Sequence, residues 1–102
     1  MDFQTVIKEL ERAWDLNDGF LGGLREGVYR HDELERLVNT LRSIELTDPE
    51  NIDKRLVSLT WFIPIFLTWQ KERLTSQNID VSRIDQAINR IEEVLEKILG
   101  TP

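Results

Sequence analysis

The sequence predicts an all-α protein, an antiparallel bundle of four main helices with a short extra helix near residues 19–26. Three observations predict this fold class. Apolar residues recur at steps of three and four in separate segments, which places them on one face of a helix. No stretch alternates between apolar and polar residues as a half-buried strand does. The segments are joined by short connections, which favour up-down neighbours in a bundle.

The first two amphipathic segments are predicted from their apolar spacing and their flanking residues. Residues 3–16 carry one apolar stripe, with Asp2 as a plausible N-cap and an Asn-Asp-Gly sequence after the last turn. The second segment covers residues 31–46, where Asp32 and Glu35 have the spacing of an acidic capping box. Each segment is therefore expected to form a helix with one face toward the core.

The third segment is apolar on every side, which is typical of a buried central helix. Its charge-free run extends over the 15 residues from Leu56 to Gln70, and Thr47-Asp48-Pro49 resembles a helix start before it. A membrane span needs about 20 apolar residues, so a buried helix is the better interpretation. Pro64 cannot donate a hydrogen bond to the carbonyl of Thr60, so a kink or a break into two helices is expected at Pro64.

The last segment, residues 80–99, has the most regular pattern. Its apolar residues form a heptad-like seam, and Gly100 suits the residue that ends a helix. A chain of 102 residues is long enough for one modest hydrophobic core, so residues 1–102 are predicted to form a single domain.

The composition excludes several classes of chemistry and indicates one kind of partner. The absence of cysteine excludes disulfides, thiolate chemistry and the soft ligands of a structural zinc site. No secretory signal is visible, so a cytoplasmic location is expected. The net charge of −6 lies in residues 1–50, which hold 12 acidic and 6 basic side chains, whereas residues 51–102 hold 7 of each. A surface formed by residues 1–50 would repel nucleic acid and anionic lipid and attract a basic partner. The alternative interpretation is that this negative charge serves only solubility.

The stretch NDGFLGGLREG, residues 17–27, holds four of the five glycines. It fits neither a Walker loop nor a dinucleotide loop. As a calcium loop it fails because Gly19 and Phe20 occupy positions that need a ligand and a glycine. The structural interpretation is a short helix, capped by Asp18 and ended by Gly27, with a side-chain-free face that another helix approaches. That helix belongs either to this chain or to a partner.

Residues with catalytic potential occur in no recognisable arrangement. His31 is the only histidine and could face Glu35 one turn later, but no third nitrogen or sulfur ligand is near it in the sequence. The serines lie in no nucleophile elbow or triad context. Nucleic-acid binding would need basic residues interleaved with aromatic ones, and the nearest such stretch, residues 69–73, also contains an acidic residue. No catalytic residue, cofactor-binding residue or metal ligand is predicted, and neither nucleic acid nor a membrane is an expected partner.

By elimination the sequence predicts a non-enzymatic protein-binding module. A small, acidic, cysteine-free helical bundle is similar, at the level of class, to the helical immunity proteins that bacteria use against toxic nucleases, although no residue motif makes it a member of that family. The expected partner is a basic protein, such as a toxin, which carboxylates of the first half attract and an apolar anchor holds. The predicted contact residues are Asp15, Asp18, Phe20, Leu21, Leu24, Glu26, Tyr29, Asp32, Glu33 and Glu35.

Two alternatives belong to other functional classes. The first is a structural bundle that forms a homodimer through residues 59–69, where Trp61, Ile65 and Trp69 recur one turn apart. Such a dimer would need no acidic face. The second is an adaptor or regulator of a larger enzyme, which the sequence does not distinguish from a neutralising partner.

Overall fold

The computed structural model describes residues 1–78 and 80–102, and these residues form six α-helices without a β-strand. The predicted all-helical fold class is therefore confirmed. The short extra helix is present, and the central apolar segment is divided in two. The helices are α1 (Phe3–Trp14), α2 (Phe20–Arg25), α3 (His31–Arg42), α4 (Lys54–Thr60), α5 (Ile63–Ser76) and α6 (Ser82–Leu99).

Helix α1 begins as predicted and ends two residues earlier. The carboxylate of Asp2 accepts a hydrogen bond from the backbone N–H of Thr5 at 2.8 Å, which confirms the N-cap. This bond to the charged carboxylate lowers the pKa of Asp2. After Trp14 the carboxylate of Asp15 accepts two backbone N–H bonds from the following turn, at 2.8 and 3.1 Å, and so stabilises the exit from the helix.

The glycine stretch contains helix α2. Two glycines of this helix allow other parts of the same chain to pack closely against its backbone. A Cβ atom at Gly22 would overlap the backbone carbonyl of Asp15, which follows the last turn of α1. A Cβ atom at Gly23 would overlap the guanidinium group of Arg30. The side-chain-free face is therefore covered by this chain, as the intramolecular alternative predicts.

The start of α2 differs from its prediction, and its end agrees with it. Gly19 is the N-cap and no side chain caps the helix, so the capping role predicted for Asp18 is wrong. Gly27 has a φ of +74° just after the C-cap. The N–H groups of Gly27 and Val28 donate back to carbonyls of α2 at 3.0 and 2.9 Å. This pair of bonds is the Schellman pattern, in which a left-handed glycine ends a helix.

Helix α3 begins one residue before the predicted cap. His31 is its first residue and Arg30 occupies the N-cap without a side-chain capping bond. Asp32 therefore lies inside the first turn, and its predicted capping role is wrong. A carboxylate in the first turn still interacts favourably with the positive end of the helix dipole.

Helix α4 begins later than the motif at residues 47–49 predicts. Its N-cap is Asp53, whose carboxylate accepts a backbone N–H of the first turn at 3.1 Å. The carboxylate of Asp48 instead accepts the backbone N–H of Glu50 at 3.1 Å and the side-chain amide of Asn51 at 2.8 Å. These local bonds make residues 48–51 a turn, because a short acidic side chain competes with the helix for the same donors.

The break predicted at Pro64 is confirmed. Helix α4 ends at Thr60, and α5 begins at Ile63 with Pro64 in its first turn, where the missing N–H needs no intrahelical acceptor. The hydroxyl of Thr60 donates to the carbonyl of Leu56 at 2.8 Å, which satisfies this buried polar group.

One hydrophobic cluster receives side chains from all six helices. Helix α3 contacts both α1 and α6, helix α2 contacts α1, α3 and α5, and α5 packs against α6. Helix α6 starts two residues later than predicted, and Gly100 follows it with a φ of +81°. The largest fully buried apolar side chains are Leu10, Phe20, Leu21, Leu24, Leu34, Leu41, Leu56, Ile63, Leu67 and Ile91.

The close approach of α1 and α2 predicts a specific cost for a methyl group at Gly22. We expect Gly22→Ala to lower the free energy of unfolding by about 1–3 kcal/mol, because two backbone segments must separate to admit the new atom. Urea denaturation followed by circular dichroism measures this change.

The matched control is Gly27→Asn. Nothing lies within 4 Å of a Cβ atom at Gly27, and asparagine tolerates its left-handed conformation, so this variant should unfold close to the parent. If Gly22→Ala were as stable as Gly27→Asn, the close approach of α1 and α2 would be wrong.

Candidate functional site

Three large apolar side chains lie exposed along the α4–α5 segment. The exposed fractions are 53% for Trp61, 40% for Ile65 and 56% for Trp69. The residues are four positions apart, and Trp61, which follows α4, keeps helical backbone angles. They therefore lie one above another on one side. We call these three residues the apolar face.

The apolar face results from the uniform hydrophobicity of this segment. Ile63, Phe66 and Leu67 are buried in the core, so one side of α5 is covered by the bundle. Because apolar residues also occupy the opposite side, packing against α2 and α6 leaves some of them in contact with solvent. The central segment is therefore buried on one side only, and its remaining apolar surface is exposed to solvent.

Aromatic packing holds the two exposed tryptophans in place. The ring of Phe62 lies 5.4 Å from that of Trp61 and 5.3 Å from that of Trp69, measured between centroids. Phe62 also stacks on Trp14 at 6.3 Å, and Trp14 meets the buried Phe66 edge-on at 5.0 Å. The indole N–H of Trp14 donates to a backbone carbonyl of α4 at 3.0 Å. The aromatic cluster therefore extends without interruption from the core to the apolar face.

Carboxylates without ion-pair partners lie beside the apolar face. A cavity of about 220 Å³ next to Trp61 is lined by Glu92 and Glu96 of α6, together with apolar atoms, and no Lys or Arg lines it. At the other end Glu72 is exposed and lies three residues after Trp69, so the two side chains are neighbours on α5. Within the described part of the chain, none of these three carboxylates forms an ion pair. We call Glu72, Glu92 and Glu96 the rim carboxylates.

The apolar anchor predicted in the first half is wrong for three of its residues. Phe20 and Leu21 are 0% exposed and Leu24 is 1% exposed, because α2 inserts these side chains between its neighbouring helices. Tyr29 is half-buried, with its ring against Phe20 at 5.4 Å and under the guanidinium of Arg83 at 4.2 Å. These side chains stabilise the core and present little surface to a partner.

Two of the predicted acidic contacts are already bound inside the molecule. Glu33 pairs with Arg12 of α1 at 2.7 Å, and Glu35 pairs with Arg90 of α6 at 2.6 Å. The hydrogen bond from each arginine holds the pKa of its carboxylate partner below the ordinary value. Both carboxylates therefore join helices.

Two further glutamates of the first half have the same role. Glu9 accepts a hydrogen bond from Arg36 of α3 at 2.7 Å, and Glu11 pairs with Arg55 of α4 at 3.1 Å. The bond from Arg36 likewise lowers the pKa of Glu9. Four of the 12 acidic side chains in the first half are thus paired with arginines, and two of these arginines, Arg55 and Arg90, come from the second half.

The four remaining predicted contacts are exposed carboxylates. Asp15, Asp18, Glu26 and Asp32 form no ion pair among the described residues. They lie after α1, before α2, after α2 and at the start of α3, and Asp15 also stabilises its turn. Their negative charge is available to solvent and to a partner.

His31 contacts groups that already have other partners. Its Nε2 atom lies 3.7 Å from Oε1 of Glu35, and its ring stacks on Tyr29 at 6.4 Å. The predicted approach of His31 to Glu35 is confirmed, but Arg90 binds the same carboxylate more closely. In residues 1–78 and 80–102, no group of three or more His, Asp or Glu side chains is arranged to hold a metal ion.

A cavity of about 700 Å³ lies between the loop after α3 and the end of α6. Its lining is mainly aliphatic, and it includes Ile44, Leu46 and Ile98. The charged side chains in the lining are those of Arg42, Glu93 and Lys97, and no Ser, Thr or His accompanies them. The cavity is therefore an apolar groove with three charged side chains in its lining.

The chain was compared with protein-family models, curated proteins and solved structures, and no significant match was found in any of the three. None of the helices in the described ranges combines the length and the hydropathy required to cross a membrane.

The ion pairs of the first half predict how stability depends on pH. The pKa values of Glu9 and Glu33 are lower in the folded chain than their ordinary value, so the folded chain binds fewer protons. Their stabilising effect is complete above the ordinary carboxylate range and is lost as pH falls below about 4.5. We expect Glu9→Gln combined with Glu33→Gln to lower the melting temperature at pH 6 and to flatten its decline toward pH 3.

The control replaces two exposed glutamates without ion pairs, Glu45→Gln with Glu93→Gln, which changes the net charge equally. Differential scanning calorimetry from pH 6 to pH 3 compares the two double variants. If the melting temperatures of both double variants depended equally on pH, the arginine contacts would not lower the pKa values of Glu9 and Glu33.

Proposed function

We propose that the chain is a non-enzymatic protein-binding module and that the apolar face is the surface through which it binds. The observation that carries the proposal is the shared exposure of Trp61, Ile65 and Trp69 on one side of the α4–α5 segment. Exposed apolar patches mark interaction sites. Tryptophan is also among the residues that contribute most to binding energy when a partner covers it.

The aromatic cluster supports this function through its rigidity. Trp61 and Trp69 both pack on Phe62, so their rings are ordered by contacts already present in the free chain. Ordering side chains on binding costs about 0.5–1.5 kcal/mol for each rotamer-rich residue, and a surface ordered in advance avoids part of that cost.

A second candidate function is electrostatic attraction of a basic partner by the first half, as in an immunity-like neutralising protein. It is favoured by the exposure of Asp15, Asp18, Glu26 and Asp32 without ion pairs. Such carboxylates accelerate encounter with a basic surface. In this proposal they provide charge alone, since the neighbouring side chains of Phe20, Leu21 and Leu24 are buried in the core.

The proposed function predicts that partner retention depends on the two exposed tryptophans. The parent chain is immobilised, exposed to lysate of its native host and washed at low and high salt, and the retained protein is identified and purified. We expect Trp61→Ala with Trp69→Ala to weaken binding of that protein by about thirtyfold or more, the cost of losing a hot spot of about 2 kcal/mol. Calorimetry with the purified partner gives the affinities.

The control variant removes exposed apolar side chains elsewhere, through Leu16→Ser with Val28→Ser. It should retain the partner as the parent does, and circular dichroism verifies that both variants are folded. If the tryptophan variant bound as tightly as this control, the apolar face would not be the binding surface.

A further inference from the structure

We infer that the element that occupies the apolar face is a basic amphipathic helix of a partner protein, with apolar side chains toward α5 and Lys or Arg side chains toward the rim carboxylates. This inference rests on the proposed function and identifies the chemistry of the partner.

The shape of the apolar face fits one helix. From Trp61 to Trp69 the chain advances eight residues, or about 12 Å at 1.5 Å per residue, with one large side chain at each turn. A helix of three turns with apolar residues at spacings of three and four presents a stripe of similar length and width. A cavity of about 220 Å³ lies beside Trp61 on the apolar face, so a partner side chain can insert next to the ring.

A second copy of this chain fits the face less well. Two copies would bring together chains that each carry a net charge of −6 and would place their rim carboxylates near one interface.

Charge complementarity favours a basic occupant. Glu92 and Glu96 are one turn apart on α6 and line the same cavity as Trp61. A Lys or Arg side chain in this cavity would lie near both the tryptophan ring and the carboxylates, where cation–π attraction and charge-assisted hydrogen bonds act together. Near Trp69 the neighbouring Lys71 already binds Asp85 at 2.6 Å, which leaves the negative charge of Glu72 available.

The contrast with the first half strengthens this assignment. Glu9, Glu11, Glu33 and Glu35 are neutralised by arginines of the same chain. The rim carboxylates have no such partners among the described residues, and they adjoin exposed tryptophans. A basic partner thus meets unpaired charge and apolar surface at one place.

The test uses two synthetic peptides with the same leucine stripe. One carries lysine at its polar positions and the other carries glutamine, and binding is measured by calorimetry and by tryptophan fluorescence of the full chain. We expect the lysine peptide to bind about tenfold more tightly, and Glu92→Gln with Glu96→Gln to remove most of that preference. Trp61→Ala with Trp69→Ala should weaken the binding of both peptides.

Glu45→Gln with Glu50→Gln is the matched charge control, because it changes the net charge by the same amount at two exposed glutamates that form no ion pair among the described residues and belong to neither proposed binding surface. It should preserve the preference for lysine. An equal loss of preference in this control would assign the effect to overall charge and overturn the inference.

The remaining outcomes separate the inference from the proposed function. Equal binding of both peptides by the parent would show that the occupant need not be basic, and the inference alone would fail. A parent dimer that becomes monomeric with Trp61→Ala and Trp69→Ala, seen by sedimentation, would place a second copy on the face and also overturn the inference. If that tryptophan variant bound both peptides like the parent, the apolar face would not bind at all, and the proposed function would fail with the inference.

Discussion

The apolar side chains from Leu56 to Trp69 would need other helices on every side of the segment to be fully buried, and the rest of the molecule does not provide them. The segment is apolar on all sides, and a helix of this kind is covered completely only when other helices surround it. Helix α5 packs chiefly on α2 and α6, so a surplus of apolar surface remains. Trp61 and Trp69 lie in this surplus, held by Phe62. The same constraint therefore determines both the packing of the core and the position of the candidate binding surface.

Electrostatics in the folded chain differ from the charge distribution along the sequence. The first half carries the whole net charge, yet four of its glutamates bind arginines that join α1 to α3, α1 to α4 and α3 to α6. Arg55 and Arg90 come from the second half, so their pairing leaves that half with more unpaired acids than its composition suggests. The acidic surface most suited to a partner thus includes the rim carboxylates as well as the exposed acids of the first half.

Local signals could be predicted from the sequence, and contacts between distant residues could not. Capping by Asp2 and the break at Pro64 follow from groups within one turn, and both predictions were confirmed. Asp32 was wrongly predicted to cap α3, and the helix start predicted at residues 47–49 is a turn, because an aspartate does not by itself specify which nearby N–H it will bind. Helix α2 is only six residues long, so its sequence contained too few turns to show that Phe20 faces inward. The exposed tryptophans were identifiable by their spacing, whereas their proximity to Glu92 and Glu96 depends on how α6 packs.

The apolar face extends across the junction between α4 and α5 and therefore does not belong to a single continuous helix. Trp61 lies in the junction, whereas Ile65 and Trp69 belong to α5, whose first turn contains Pro64. The separation of the two tryptophans therefore depends on the angle between α4 and α5. Contacts with α1 fix the position of α4, because the indole N–H of Trp14 donates to a carbonyl of α4 and Glu11 forms an ion pair with Arg55. A displacement of α1 would consequently change the distance between Trp61 and Trp69.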